Sequence, residues 1–307
     1  MTFLLFIEQT LNGLQLGVTL FLMSAGLTLV FGIMHLINLA HGSLYMIGAY
    51  VTASVTIASG NFFIGMVAGV AVAGLAGVLI EVVALRRLYG REHLDQVLAT
   101  FGVILTANEL TKIIWGPRAL FLTVPDALSG TVEIIPGAPY PAYRLFIIVV
   151  GLLVCMGLRH VIVNTRLGML IRAGATNRDM VSALGVNVDG LFTGVFALGA
   201  MLAGLAGALA GPMLAVEVGM GENILILTFV VIIIGGIGSV KGALIGALLV
   251  GLVDTYGRAF LPGLLRLFFE PSVADGAGSS ISSIAIYLLM ALVLIWRPRG
   301  LFQAYGS

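Results

Sequence analysis

The sequence predicts an all-α, polytopic membrane protein, a single domain over residues 1–307, with about nine transmembrane helices and eight to ten as the bounds. Three observations predict it. Hydrophobic residues make up 60% of the chain and charged residues 9%, with a mean hydropathy of +1.13, whereas soluble domains carry about 25% charged residues. Two glycine-rich segments interrupt apolar runs in a way that lipid tolerates only where protein or water covers the backbone. The basic residues gather in alternate loops.

A bilayer asks for about 20 consecutive apolar residues, and such runs lie near 11–33, 37–57, 62–85, 97–115, 145–163, 190–212, 223–240, 242–261 and 280–296. The N-terminal MTFLLFIEQT lacks a basic region and a small-residue cleavage site, so the first helix is expected to be retained. Cys155 is the only cysteine and sits in an apolar run, which excludes a disulfide framework and a thiolate metal cluster. The formal net charge of +1 argues against a nucleic-acid partner.

If nine spans alternate, nine basic residues fall on one side: Arg86, Arg87, Arg91, Arg159, Arg166, Arg172, Arg178, Arg297 and Arg299. Five fall on the other, Lys112, Arg118, Arg144, Arg258 and Arg266, with Lys241 left in an interrupted segment. The excess marks the cytoplasm and puts the N-terminus outside and the C-terminus inside. Residues 116–143, with prolines at 117, 125, 136, 139 and 141, then form an irregular extracytoplasmic loop. Gly13/Gly17, Gly65/Gly69, Gly207/Gly211 and Gly242/Gly246 offer GxxxG spacing for close helix packing. Trp115, Tyr140, Tyr143 and Trp296 fall at span ends, as an interfacial belt does.

The stretch 27–50, LTLVFGIMHLINLAHGSLYMIGAY, places His35, Asn38, His41 and Gly42 inside an apolar run. Polar groups at membrane depth mark a broken helix, and broken helices line pathways in transporters. Asn38 and Ser43 are neutral candidates for pathway contacts; His41 and His35 either carry protons or contact substrate, or else satisfy backbone groups at the break. The segment 235–251, GGIGSVKGALIGALLVG, repeats the pattern, with Gly235, Gly236, Gly238 and Ser239 at the break. His41-Gly42-Ser43-Leu44 aligns with Lys241-Gly242-Ala243-Leu244, a weak sign of pseudo-symmetric halves.

Glu109 and Lys112 stand three apart and Asp254 and Arg258 four apart, so each pair can neutralise itself on one helix face. Glu81 lies five residues before Arg86 near the inner boundary, where snorkelling would keep it wet. No carboxylate stands alone at the centre of a span. Glu217 and Glu222 lie in a short outer loop, where they are solvated or meet a docking protein.

The loop of about residues 164–189 contains a short amphipathic helix. Asn177 can cap it, Asp179 suits its N-terminal dipole, Gly185 ends it, and Met180, Ala183 and Leu184 form an apolar face with no partner in the sequence.

Asp179-Met-Val-Ser-Ala-Leu-Gly185 resembles a divergent form of the E-A-A-x-x-x-G coupling motif of ABC importer permeases, with Asp for Glu and Met180 and Val181 for the two alanines. With INLAHGSLYMIGAY at 37–50, the glycine segment at 235–251 and the closing RPRGLF at 297–302, nearly the whole chain is similar to branched-chain amino acid ABC permeases of the LivH type. The resemblance implies a bacterial inner-membrane subunit working with a second, distinct permease chain, two cytosolic ATPases and an extracytoplasmic solute-binding protein. It assigns Arg172, Asp179, Met180, Ala183, Leu184 and Gly185 to ATPase coupling, and leaves urea or short amides open as alternative solutes. No cofactor is expected. The chain has no phosphate-cradling loop: around Gly235 to Gly242 the GxxxxGK[ST] pattern fails because Val240 precedes Lys241 and Gly242 follows it. An ion-coupled secondary transporter is the rival reading, weakened by the absence of an isolated carboxylate; a histidine-based membrane enzyme lacks any further catalytic partner.

Overall fold

The computed structural model of the protein describes residues 3–34, 36–135 and 137–302; His35, for which proton or substrate contact was an expectation, lies outside them. Helices dominate in the order α1 Phe3–Met34, α2 His41–Ser59, α3 Phe62–Ile80 and α4 His93–Trp115, followed by a two-stranded hairpin, β1 Thr131–Ile135 and β2 Ala138–Pro141. Next come α5 Ala142–Asn164, α6 Arg166–Thr176, α7 Arg178–Ala183, α8 Val188–Ala210, α9 Met220–Gly235, α10 Val240–Leu265 and α11 Pro271–Trp296. A π turn at Glu81–Leu85 and a 3₁₀ turn at Arg86–Leu88 prolong α3. Among the described residues seven helices are long and apolar enough to span a membrane, and α9 is a shorter apolar one. The 19-residue α2 stands outside that group because Thr52, Ser54, Thr56 and Ser59 dilute it, and its first half is buried in protein.

Local chemistry sets the helix starts. Asn61, Thr165, Asn187 and Ser239 each accept backbone N–H groups at the heads of α3, α6, α8 and α10, filling donors that the first turn cannot satisfy internally. Pro271 opens α11, where its missing N–H costs nothing.

The helices form two groups: α1 packs with α9, α10 and α5, and α2 with α3 and α8. The groups meet where α1 crosses α8 and α2 crosses α9. Without a hydrophobic drive between helices in lipid, close backbone approach carries the packing. A Cβ on Gly17 would lie 2.9 Å from Leu248 Cα, one on Gly26 2.6 Å from Gly199 O, and one on Gly48 2.5 Å from Gly204 O. Of the GxxxG pairs, Gly13/Gly17 seat α10, Gly65/Gly69 seat α2, Gly242/Gly246 seat α9 and Gly207 seats Tyr45, while Gly211 has looser surroundings. Gly48→Val is expected to destabilise the protein by about 3 kcal/mol through overpacking against backbone that cannot yield. Thermal unfolding in detergent checks this, with Gly102→Val, whose Cβ meets nothing within 4 Å, unchanged.

Three expectations need correction. The 116–143 loop is not wholly irregular: it carries the β1–β2 hairpin, and Leu120 bridges to Val216. Tyr140 and Tyr143 are not lipid-facing anchors. Both are buried, with the Tyr140 hydroxyl donating to Asn12 Oδ1 at 3.0 Å and that of Tyr143 to Leu209 O at 2.8 Å. The hairpin brings Tyr140 onto α1, and the start of α5 turns Tyr143 onto α8, which residue spacing does not reveal. Trp115 is half-buried, bonded to Ser54 and tilted against the Tyr50 ring, whereas Trp296 is 91% exposed as a belt residue would be. Finally, the loop after α5 holds two helices, α6 and α7.

Candidate functional site

The first break runs from Leu36 to Ala40 and is non-helical yet buried, with Leu36 and Asn38 at 0% exposure. Buried backbone in such a place needs partners. Ile37 N–H donates to Gln96 Oε1 at 3.4 Å, and Gln96 Nε2 donates to the Leu88 and Arg91 carbonyls at 3.2 and 3.3 Å. Gln96, itself buried on α4, thus ties the break to the turn after α3; no local pattern marks it, since its partners are distant in sequence. His41 is fully buried at the start of α2, and Nε2 lies 3.2 Å from Met23 O of α1. A carbonyl only accepts, so Nε2 carries the proton, and Nδ1 has no partner among the described residues. Both polar atoms of the Asn38 side chain and the Thr28 hydroxyl are buried and likewise have no partner among the described residues. Ser43 is nearly buried, and Gly42 presses on Gly221 at the head of α9.

The second break, Gly236 to Ser239, lies at the other end of α9. Gly236 and Gly238 take φ of 101° and 84°, conformations that L side chains avoid. Ser239 accepts from Gly242 N–H at 3.1 Å to start α10, and Gly242 meets Gly235 backbone to backbone. The RPRGLF segment closes over this break: Leu301 and Phe302 N–H groups donate to Ile234 and Gly235 carbonyls at 2.9 Å each. These are the carbonyls that the end of α9 leaves free. Lys241 Nζ sits 5.1 Å above the Phe302 ring. α9 therefore acts as a strut, touching a helix-starting glycine of each break.

Two hollows flank this region. One, of about 40 Å³, is lined by Thr28, Gly32, Ile162, Arg172 and Gly238. The other, of about 290 Å³, is lined by Tyr45, Glu217, Met220 and Asn223 near the opposite end of α9. Asn38, His41, Gly42 and Ser43 lie in the packed region, while Gly238 faces the smaller hollow.

In the loop after α5, Asn177 ends α6 and caps α7, accepting from Met180 N–H at 2.9 Å, and Gly185 at φ 83° closes the turn. Val181 is buried, while Met180 and Leu184 are 60% and 76% exposed, with Asp179 and Ala183 exposed beside them. Arg172 points elsewhere, donating to the Ile162 carbonyl at the end of α5.

The self-paired charges stand as read: Lys112 meets Glu109 at 2.6 Å and Arg258 meets Asp254 at 2.8 Å. Glu81 does not snorkel. It is 0% exposed and holds Arg86 bidentately, because an i to i+5 turn places residues five apart on one face. Glu222 accepts from Asn108 at 2.6 Å, and Glu217 is exposed.

Comparison with known proteins places this arrangement. Residues 9–295 match the family described as the permease component of the branched-chain amino acid transport system. The chain is 30% identical to the high-affinity branched-chain amino acid transport system permease protein BraD of Pseudomonas aeruginosa, covering 96% of this chain and 95% of that protein. It is 29% identical to the corresponding LivH protein of Escherichia coli K12, covering 97% and 96%. No solved structure matches. The chain belongs to the branched-chain amino acid transport system permease family.

Proposed function

We propose that the chain is a permease subunit of an ATP-driven ABC importer that moves branched-chain or related amino acids across the bacterial inner membrane. The observation that carries this reading is the near full-length family match, joined to a capped helix whose apolar face, Met180, Ala183 and Leu184, is exposed. Two cytosolic ATPases would cover that face and supply the hydrolysis for which this chain has no loop. A second, distinct permease would complete the channel, and an extracytoplasmic binding protein would deliver solute near residues 116–143.

Nine spans, α1 to α5 and α8 to α11, put the N-terminus outside and the C-terminus inside. Supporting this, Tyr140 bonds Asn12 and Leu120 bridges Val216 on one side, while Phe302 pairs with Gly235 on the other. Lys241 then joins the nine basic residues of the cytoplasmic side. Movement of Asp179 to Gly185, with Arg172 as the inward hinge contact, would alternate a path formed by Asn38, His41, Gly42, Ser43, Gly235, Gly236, Gly238 and Ser239.

Gentle purification of the tagged chain followed by mass spectrometry tests the reading. ATPase subunits and a second permease are expected to come with it, and uptake of labelled leucine should be blocked by excess valine and untouched by urea or acetamide. Isolation alone, with gradient-driven uptake in the absence of ATP, would overturn the importer in favour of a secondary transporter; block by urea would move the solute to the amides.

A further inference from the structure

We infer that Arg178 is the contact through which the α7 loop moves the spanning helices: its guanidinium, seated on the rings of Tyr89 and Phe192, passes loop displacement to the inner end of α3. The inference rests on α7 being the face on which the ATPase presses.

Arg178 is the first residue of α7, directly after the capping Asn177. Its guanidinium carbon lies 5.0 Å from the centroid of Phe192 and 5.7 Å from that of Tyr89, and the two rings stand edge to face at 5.7 Å. It also donates to Asp189 Oδ1 at 3.2 Å. Asp189 and Phe192 belong to α8, while Tyr89 follows the 3₁₀ turn that prolongs α3. Among the described contacts this one side chain therefore joins the loop to both helices.

Behind the rings lies a hydrogen-bond network centred on Glu81. The Tyr89 hydroxyl donates to Glu81 Oε1 at 2.6 Å, the Thr193 hydroxyl to Glu81 Oε2 at 2.9 Å, and Arg86 donates to both carboxylate oxygens at 3.2 and 3.0 Å. A third bond from Arg86 reaches Thr193 at 2.6 Å. A buried carboxylate with every partner filled holds its neighbours in one arrangement. From Glu81, α3 runs back along α2, where Gly65 and Gly69 receive Thr56 and Thr52, and α2 begins at His41 in the first break. Adjacency alone does not establish coupling. What singles out Arg178 is the ring contact: a planar guanidinium keeps its attraction across a ring face, so it can hold Tyr89 and Phe192 even where loop movement parts it from Asp189. The Arg178 side chain is 44% exposed, so replacing it opens no core.

The test uses the whole transporter, reconstituted with its ATPases, second permease and binding protein in vesicles, with ATP hydrolysed and solute imported measured together. Arg178→Gln is expected to keep its thermal midpoint and its ATP hydrolysis while solute imported per ATP falls about tenfold. Arg178→Lys, which retains a cation over the rings, should recover most of that yield; Tyr89→Phe, which keeps the ring but frees it from Glu81, should lose it. An Arg178→Gln transporter with normal yield per ATP, or one that loses hydrolysis and uptake in parallel, overturns the inference. The Met180→Asp, Leu184→Asp pair separates it from the reading beneath: if that pair leaves uptake intact, the coupling reading falls, whereas if the pair abolishes uptake and Arg178→Gln keeps normal yield, only Arg178 is excluded.

Discussion

Met180→Asp combined with Leu184→Asp is expected to abolish ATP-driven uptake while the protein still inserts and melts normally. Both side chains are exposed in the isolated chain, at 60% and 76%, so neither change touches its core. A six-residue helix presenting two large apolar groups to water is marginal alone. Here it is held by Asn177 at one end and the left-handed Gly185 at the other, with Val181 as its inward anchor. On the proposed reading such a face enters a groove of the ATPase. Central apolar anchors at interfaces each contribute about 2 kcal/mol, and a carboxylate forced into the same groove adds its desolvation. Recovery of the ATPases on the tagged chain should fall by two to three orders of magnitude, roughly the loss of two such anchors. Unchanged uptake would remove α7 from the coupling surface.

How much of this was legible in the sequence depended on how local the cause is. The α7 helix could be read because a cap, a dipole partner and a terminating glycine all lie within nine positions, Asn177 to Gly185, and act through adjacent backbone. The two breaks could be read because polar residues and glycines inside apolar runs have few explanations in lipid. Glu81 was misread for a geometric reason: regular helix spacing sets it apart from Arg86, and only the π turn brings them together. Gln96, Tyr140 and Tyr143 were missed or misread because their partners come from segments distant in sequence, Leu88 and Ile37, Asn12 and Leu209. The clasp of Phe302 on Gly235 is of the same kind: RPRGLF signalled family, yet its use, filling the carbonyls that end α9, needs three dimensions.

Asn38→Leu is expected to make the protein more stable and the transporter worse. The Asn38 side chain is completely buried, with no partner for its oxygen or its nitrogen among the described residues, and an unsatisfied buried polar group costs about 1–3 kcal/mol. Leucine has nearly the same shape and no such cost. The thermal midpoint in detergent should rise by a few degrees, about 1 kcal/mol of stabilisation. On the proposed pathway reading, the Asn38 amide has its use in another conformation, where the break opens and the amide meets water or solute. Stabilising only the packed conformer by about 1.4 kcal/mol reduces the open population tenfold, and uptake with it. Asn38→Ser, which keeps a hydrogen-bonding group, should lose far less. His41 offers the internal contrast: Nε2 already holds Met23 O, so His41→Leu removes a made bond together with the orphaned Nδ1 and should leave stability nearly unchanged. If Asn38→Leu instead lowers the midpoint and leaves uptake intact, the amide serves the fold, and the path runs elsewhere.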